Sequence, residues 1–284
     1  KDTDISYAVC GIPYAVGGEV GDFDELTPRN AKWFKARHNV DVHTSHEVLR
    51  IDHAIKTVWV KNLLTGEIFE DHYDLLVFAT GARYQTPEVF LGHDFDNVFQ
   101  VRNIQSGKVI KSYIATHQPK TAVIVGAGYI GLEMAEQLKA QGIDVTVLQR
   151  GQHPMPHLDW DMSIRIEDEM RKQGIHFRPE ETIAEVSGTT RLESAVTTKG
   201  EVLEADLYII ATGVLPNTAL ATSIGVDLGE TGAIVTDSTM QTNLEGVYAV
   251  GDVAESFHVI TGKPIYRPMA TTANKMGRIA GDAM

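Results

Sequence analysis

Three groups of residues in this sequence have the types and spacing to do chemistry. The first is Cys10, the only cysteine, in Ser6-Tyr7-Ala8-Val9-Cys10-Gly11-Ile12-Pro13-Tyr14. A thiol in a loop that runs into a short helix can serve as a thiolate nucleophile. A lone cysteine is also, commonly, a small buried hydrophobe. The second group is Gly126-Ala127-Gly128-Tyr129-Ile130-Gly131. It follows a strand-like run at 121–125 and opens a helical run at 132–140, which Gly142 ends. Glycines at this spacing let the backbone approach a pyrophosphate, and the helix N-terminus favours its charge. The third is Gly251-Asp252, a carboxylate at the end of a strand-like run. Such a group can accept hydrogen bonds from sugar hydroxyls, although Gly-Asp is also an ordinary turn.

The elements that carry these residues repeat. Residues 73–82 read Tyr-Asp-Leu-Leu-Val-Phe-Ala-Thr-Gly-Ala, and residues 205–214 read Ala-Asp-Leu-Tyr-Ile-Ile-Ala-Thr-Gly-Val. Each is an acidic residue, a buried-strand run and Ala-Thr-Gly. Two copies of one strand-and-turn predict two nucleotide-binding modules. Only the second copy has a phosphate loop upstream. The offset from Gly126 to Ala211, carried back from Ala79, falls before Lys1. The expectation is a piece of a longer two-dinucleotide protein.

Between the motifs, residues 28–38 predict a short helix opened by Pro28, and 47–79 predict a strand meander closing on the first Ala-Thr-Gly. A helix is expected over 103–117, ending near Pro119. A βαβ unit then spans 121–148, followed by a helix at 161–173 and a second meander. Residues 233–250 read as strands, and 274–284 as a helix. The strand after the loop helix ends Leu148-Gln149-Arg150. A site specific for NAD usually places Asp or Glu there for the ribose 2′-hydroxyl, whereas an Arg suits a 2′-phosphate. Gln149 and Arg150 therefore lean to NADPH or to dual use, against the alternative that Arg150 is only a solvated strand end.

Composition narrows the class. A chain of 284 residues suggests about two domains at roughly 100–200 residues each. The net charge of −13 argues against binding to nucleic acid or anionic membrane, which needs basic patches. No apolar run approaches the roughly 20 residues of a membrane span, and no secretory signal is visible. One cysteine excludes an internal disulfide framework and fits a cytoplasmic setting. Glu133 and Glu136 read as a solvated helix face. The eleven histidines are scattered, so no metal is expected.

Together the motifs resemble the pyridine nucleotide–disulfide oxidoreductase family over essentially the whole chain. The Ala-Thr-Gly turns, Gly-Ala-Gly-Tyr-Ile-Gly-Leu-Glu, Gly213-Val214-x-Pro216-Asn217 and Val-Tyr-Ala-Val-Gly-Asp carry the likeness. Cys10 has no second cysteine after it, which resembles the single-cysteine branch. The Cys-Gly-Ile-Pro-Tyr segment and the run 258–264 are most similar to coenzyme A disulfide reductases and their persulfide-reducing relatives. The resemblance implies a glutathione-reductase-like α/β fold. A partial FAD-binding domain (1–112 and 239–284), lacking its first βαβ, would be split around a Rossmann NAD(P)H domain (113–238). A C-terminal dimerisation domain would be absent from this stretch, and the parent would be a homodimer.

The resemblance also implies roles. Cys10 would be the redox thiol, Tyr129 would gate the flavin face, and Glu133 would sit near the flavin edge. Val48, Thr80, Gly81, Gly251, Asp252 and Ala270 would line FAD. Gly126, Gly128, Tyr129, Ile130, Gly131, Gln149, Arg150 and Gly213 would hold NAD(P)H. Ser6, His38 and Asn274 would face the substrate. Asn274 stands where some members have a His, His38 near a substrate-contacting Lys, and Val9 where some have Asn, which puts the coenzyme A contacts in question. The implied activity is FAD-dependent NAD(P)H reduction of coenzyme A disulfide. An NADH oxidase or peroxidase with a Cys10 sulfenic acid, a persulfide or polysulfide reductase, and a non-catalytic nucleotide-binding module remain alternatives.

Overall fold

The computed structural model describes residues 1–284. Packing divides the chain into two compact units. One comprises Lys1–Thr3, Asp41–Arg83 and Val214–Met284; the other comprises Asp4–Val40 and Tyr84–Gly213. The division at 112 and 238 expected from the sequence is a division by cofactor, and the grouping by packing crosses it.

The second unit is built on a five-stranded parallel sheet. Its spatial order is Val98–Phe99, Leu207–Ile210, Thr121–Val125, Asp144–Gln149 and His176–Pro179. The central strands are short β-branched runs covered on both faces, as parallel sheets require. Alternation sorts their side chains. Ala122, Ile124, Val145, Val147 and Ile209 join one core with Met134, Ala135 and Leu138 of the helix Tyr129–Ala140. Val123, Val125, Leu148, Tyr208 and Ile210 join another, with Phe90, Phe95 and residues of an antiparallel sheet beginning at Ile183–Gly188. The short helix Ile12–Gly17 belongs to the first core: Ile12 and Ala15 are fully buried there and Val16 nearly so. The Cys10 segment therefore shares its packing with the phosphate-loop helix.

The first unit holds a three-stranded antiparallel sheet, His46–Asp52, Thr57–Asn62 and Ile68–His72. It also holds a parallel pair, Leu76–Phe78 with Val247–Ala249. Ile51, Phe78, Val247, Ala249, Val253 and Met276 of the helix Ala270–Ala283 form its core. The meander thus has three strands, and the strand before the first Ala-Thr-Gly leaves it to pair elsewhere.

Local chemistry explains the remaining departures from expectation. The helix expected from Pro28 runs Ala31–His38, because the Asn30 side chain accepts the Trp33 N–H at 3.0 Å and caps it there. The helix expected over 132–140 starts at Tyr129, with Gly128 extended at its cap. The final helix begins at Ala270. Residues 233–250 are mostly not strand; only Val247–Ala249 is. Asp237 Oδ1 accepts the N–H groups of Thr239 (2.8 Å) and Gln241 (3.0 Å), a local turn that competes with a sheet ladder.

Asn97 ties the second unit together from a fully buried position. Its Nδ2 donates to Leu192 O (3.0 Å) and its Oδ1 accepts from Leu192 N (2.8 Å). Asn97→Ala would orphan both groups of Leu192. The expected cost is about 2–4 kcal/mol, read as a lower urea midpoint; an unchanged midpoint would show that the two bonds contribute nothing net.

Candidate active site

Cys10 lies in the tight turn Val9–Gly11, exposed, immediately before the helix Ile12–Gly17. The turn is held by Gly11 N–H to Ala8 O (3.0 Å) and Ala8 N–H to Leu26 O (2.9 Å). Pro13 suits the first turn of the helix, where its missing N–H has no partner to lose. Gly18, at φ 91°, ends it. The helix is fastened to Tyr129–Ala140 by Gln137, which is almost completely buried and donates to Glu19 Oε1 at 2.9 Å. A Cβ on Gly17 would overlap the Gln137 amide, so only glycine permits this approach.

Carboxylates surround the neighbouring phenol. Tyr14, one turn beyond Cys10, has its pKa raised by Glu133 first, then by burial, Glu136, Glu19 and Cys10. It is therefore a neutral hydrogen-bond donor at physiological pH. Burial, reinforced by Glu136, pushes the Glu133 carboxyl up. The sequence reading missed Tyr14, Glu19 and Gln137. Tyr14 lies four residues after Cys10, a helical spacing that offered a signal; the tie from Gln137 to Glu19 had none.

The phosphate loop is formed by backbone contact. Gly126 has φ 110°, and a Cβ there would overlap Ala211 O. A Cβ on Gly131 would overlap Gly126 O. Gly128 faces open space. Open backbone at a helix start fits a pyrophosphate, so these residues suit a dinucleotide. Gln149 reaches the loop directly: its Oε1 accepts the Ala127 N–H at 3.0 Å. Met155 N–H donates to Ala127 O at 2.8 Å, which binds the following segment to the same residue. Tyr129 is half exposed, and its ring lies 5.1 Å from that of His157. Ile130 packs against the core, and Arg150 is exposed. Gly213, at φ 105°, follows Thr212, whose hydroxyl donates to Gln85 O.

The other expected cofactor residues lie in the first unit. Val48 pairs with Val60 in the antiparallel sheet. The Thr80 hydroxyl donates to Asn217 O at 2.7 Å, and the Thr80 backbone carbonyl accepts from Asn217 Nδ2 at 2.9 Å. Gly81 (φ 63°) and Gly251 (φ 74°) follow the paired strands. Burial pushes the half-buried Asp252 carboxyl up, and Tyr266 donates to its carbonyl at 2.9 Å. Burial, with Asp252, pushes the Tyr266 phenol up to about 12. Ala270 starts the last helix, and Asn274 is exposed on it. This set fits the sugar-bearing part of a second dinucleotide, with no glycine-rich loop of the 126–131 kind beside it. Of the expected substrate residues, Ser6 is partly buried and His38 ends the helix Ala31–His38, its ring 5.2 Å from Trp33. The structure thus brings Cys10, Tyr129, Glu133 and the loop glycines into one unit, and leaves Val48, Thr80, Gly81, Gly251, Asp252, Ala270 and Asn274 in the other.

The model of the pyridine nucleotide-disulphide oxidoreductase family matches residues 1–277. The chain belongs to that family. Among relatives, it is 41% identical over 278 residues to an NAD(P)H sulfur oxidoreductase (CoA-dependent) of Pyrococcus abyssi, covering 98% of this chain and 60% of the relative. It is 34% identical over 285 residues to a coenzyme A disulfide reductase of Staphylococcus haemolyticus, covering 100% of this chain and 63% of the relative. An NAD-dependent persulfide reductase structure from A. fulgidus superimposes with a TM-score of 0.94 at 35% identity, over 99% of this chain and 53% of that one. The chain thus spans less than two thirds of these pyridine nucleotide–disulphide oxidoreductases. No helix is long and apolar enough to cross a membrane.

The carboxylates near Tyr14 predict a pH signature. A carboxyl whose pKa rises on folding loses stability as pH climbs past its unfolded value. Glu133→Gln should therefore raise the melting temperature at pH 7–8 and leave it unchanged near pH 4. The gain stays below about 1 kcal/mol, because solvent screens a partly exposed group. Melts showing equal gains at both pH values would contradict the electrostatic origin.

Proposed function

We propose that the chain is the core of an FAD-dependent NAD(P)H:disulfide oxidoreductase that reduces coenzyme A disulfide through Cys10. One observation carries this reading: an exposed, lone thiol stands at the head of a helix packed into the same core as a dinucleotide-type phosphate loop. The relatives named for coenzyme A disulfide and for sulfur reduction support it.

In this reading residues 113–238 hold NAD(P)H on Gly126, Gly128, Tyr129, Ile130, Gly131, Gln149, Arg150 and Gly213. Residues 1–112 and 239–284 serve FAD, through Val48, Thr80, Gly81, Gly251, Asp252 and Ala270. Ser6, His38 and Asn274 contact the substrate. When bound, NAD(P)H would supply a hydride and FAD would pass an electron pair on to sulfur. The chain's own contribution is at Cys10. Its thiolate attacks one sulfur of the disulfide; the Cys10–sulfur bond forms, the substrate S–S bond breaks, and one coenzyme A thiolate leaves and takes a proton. Two electrons then cleave the mixed disulfide, releasing the second thiolate and restoring Cys10. Tyr14, neutral beside three carboxylates, offers its hydroxyl near this sulfur, and Glu133 sets its charge environment. The assembly is a homodimer in the cytoplasm.

A second reading replaces coenzyme A disulfide with a persulfide or polysulfide, favoured by the Pyrococcus abyssi and A. fulgidus relatives. The full-length, FAD-loaded protein distinguishes them under argon. Given NADPH and coenzyme A disulfide, it should release about two thiols per NADPH, as a two-electron couple requires. Cys10→Ser should abolish that release. Turnover restored only by polysulfide moves the assignment to sulfane sulfur. Disulfide turnover that survives Cys10→Ser overturns the mechanism.

A further inference from the structure

The 14-residue helix Ile104–His117 carries one side chain line into the core and another beside it. Ile104 and Ile110 join the core that holds the helix after Cys10. Val109, Tyr113 and His117, four residues apart, face a cleft of about 270 Å³ instead. Phe99 and Asp96 form its other wall, at the outermost strand of the parallel sheet. Both walls are fixed. Asp96 N–H donates to Thr190 O at 2.9 Å, and Asn97 beside it is fully buried. The Tyr113 hydroxyl donates to Asp206 O at 2.9 Å and accepts from Arg191 Nη1 at 2.7 Å.

The cleft offers acceptors and rings. The Asp96 side chain is exposed and has no hydrogen bond or ion pair within the chain. His117 Nδ1 lies 3.2 Å from Tyr113 O. A carbonyl can only accept, so Nδ1 carries the proton and Nε2 of the neutral ring is left as an acceptor. Ser112 and Thr116 add hydroxyl oxygens. The His117 ring is stacked on Tyr113 at 4.2 Å, and Phe99 meets Tyr113 edge-on at 5.1 Å. No Lys or Arg side chain lines the cleft, and Arg191, at the far end of the phenol, is paired with Asp206 at 3.7 Å.

We propose that this cleft binds a small organic cation, a primary ammonium group on a short apolar chain. The ammonium has three donors and no acceptor, which matches the Asp96 carboxylate, His117 Nε2 and the two hydroxyls. Aromatic faces attract the same charge. The helix ends at His117, so the negative end of its dipole also lies at the cleft. Phe99 and Val109 supply apolar surface for the chain of the ligand. A net charge of −13 raises the local concentration of cations around the whole molecule. The volume suits a ligand of few heavy atoms, since drug-sized pockets begin at roughly 300 Å³. The site is separate from Cys10 and from the phosphate loop, and it stands whether or not Cys10 is redox-active.

The test is an NMR titration of the full chain at fixed ionic strength, followed at the amides of residues 96–99 and 109–117. The probes are n-butylammonium chloride, butan-1-ol and sodium butanoate, which share a chain and differ in charge. The ammonium should bind in the millimolar range, as a ligand of few heavy atoms does. The alcohol and the carboxylate should bind at least about tenfold more weakly, the size of a charge-assisted hydrogen bond. Asp96→Asn should weaken the ammonium by about 10-fold or more. His117→Phe keeps a ring on Tyr113 and removes Nε2; it should weaken the ammonium about fivefold, as loss of one hydrogen bond does. Asp94→Asn removes the same charge from an exposed neighbour that does not line the cleft, and it should leave binding unchanged. Absence of shifts at these amides, equal binding of butanoate, or an affinity unmoved by Asp96→Asn overturns the proposal. So does an Asp94→Asn loss as large as that of Asp96→Asn, which would mark diffuse attraction to an acidic surface.

Discussion

The nucleotide unit depends on one close approach of backbone to backbone, between Gly126 and Ala211. A side chain at 126 would overlap the Ala211 carbonyl, and its φ of 110° already excludes most residues. The approach follows from the strand order. Leu207–Ile210 lies beside Thr121–Val125, so both chains leave the sheet at the same carboxyl edge. Ala211 N–H still bonds to Val125 O, and Gly126 N–H to Leu148 O, each at 2.8 Å. Three strand ends are thereby fixed around one loop, at the edge where α/β sheets bind ligands. The repeated Ala-Thr-Gly then has a physical meaning: a small residue where backbones crowd, and a glycine that turns at positive φ. The first unit repeats the arrangement with Leu76–Phe78, Gly81 and Gly251, where Val250 N–H bonds to Phe78 O at 2.9 Å.

Cys10 inherits this rigidity. Its helix buries Ile12, Ala15 and Val16 against the helix that the phosphate loop opens. Glycine at 17 allows the two to close, and Gln137 holds them. The sulfur is therefore exposed while the backbone beneath it is not free to adjust. Carboxylates gather on the neighbouring phenol: Glu133, Glu136 and Glu19 all hold Tyr14 in its protonated form. Such a concentration of carboxylates costs stability, and sites that perturb their own titratable groups in this way are commonly functional.

How much of this was legible in the sequence depended on range. The Gly126–Gly131 loop and the Ala-Thr-Gly turns are short patterns whose glycines local geometry requires, so they stand out in the sequence. The run 233–250 misled because its apolar residues suggest strands, while Asp237 spends the backbone donors of Thr239 and Gln241 on a turn. The packing of Ile12–Gly17 on Tyr129–Ala140 joins residues more than a hundred positions apart, and no spacing rule reports it. Gln149 shows the intermediate case. The sequence reveals that no carboxylate stands there; only the bond to Ala127 reveals which way the amide faces.

Electrostatics explains why such detail matters here. With a net charge of −13, the chain repels an anionic coenzyme at long range. Attraction must come from contacts inside the screening distance, about 10 Å at ordinary salt. The loop supplies backbone N–H groups and the end of a helix, but one of those groups, Ala127 N–H, is already bonded to Gln149. An anion at the loop therefore depends on the amides that remain, and on donors brought in by the strand that follows. The Met155 bond to Ala127 O keeps that following segment against the loop. The loop edge exists only because three strands end together there.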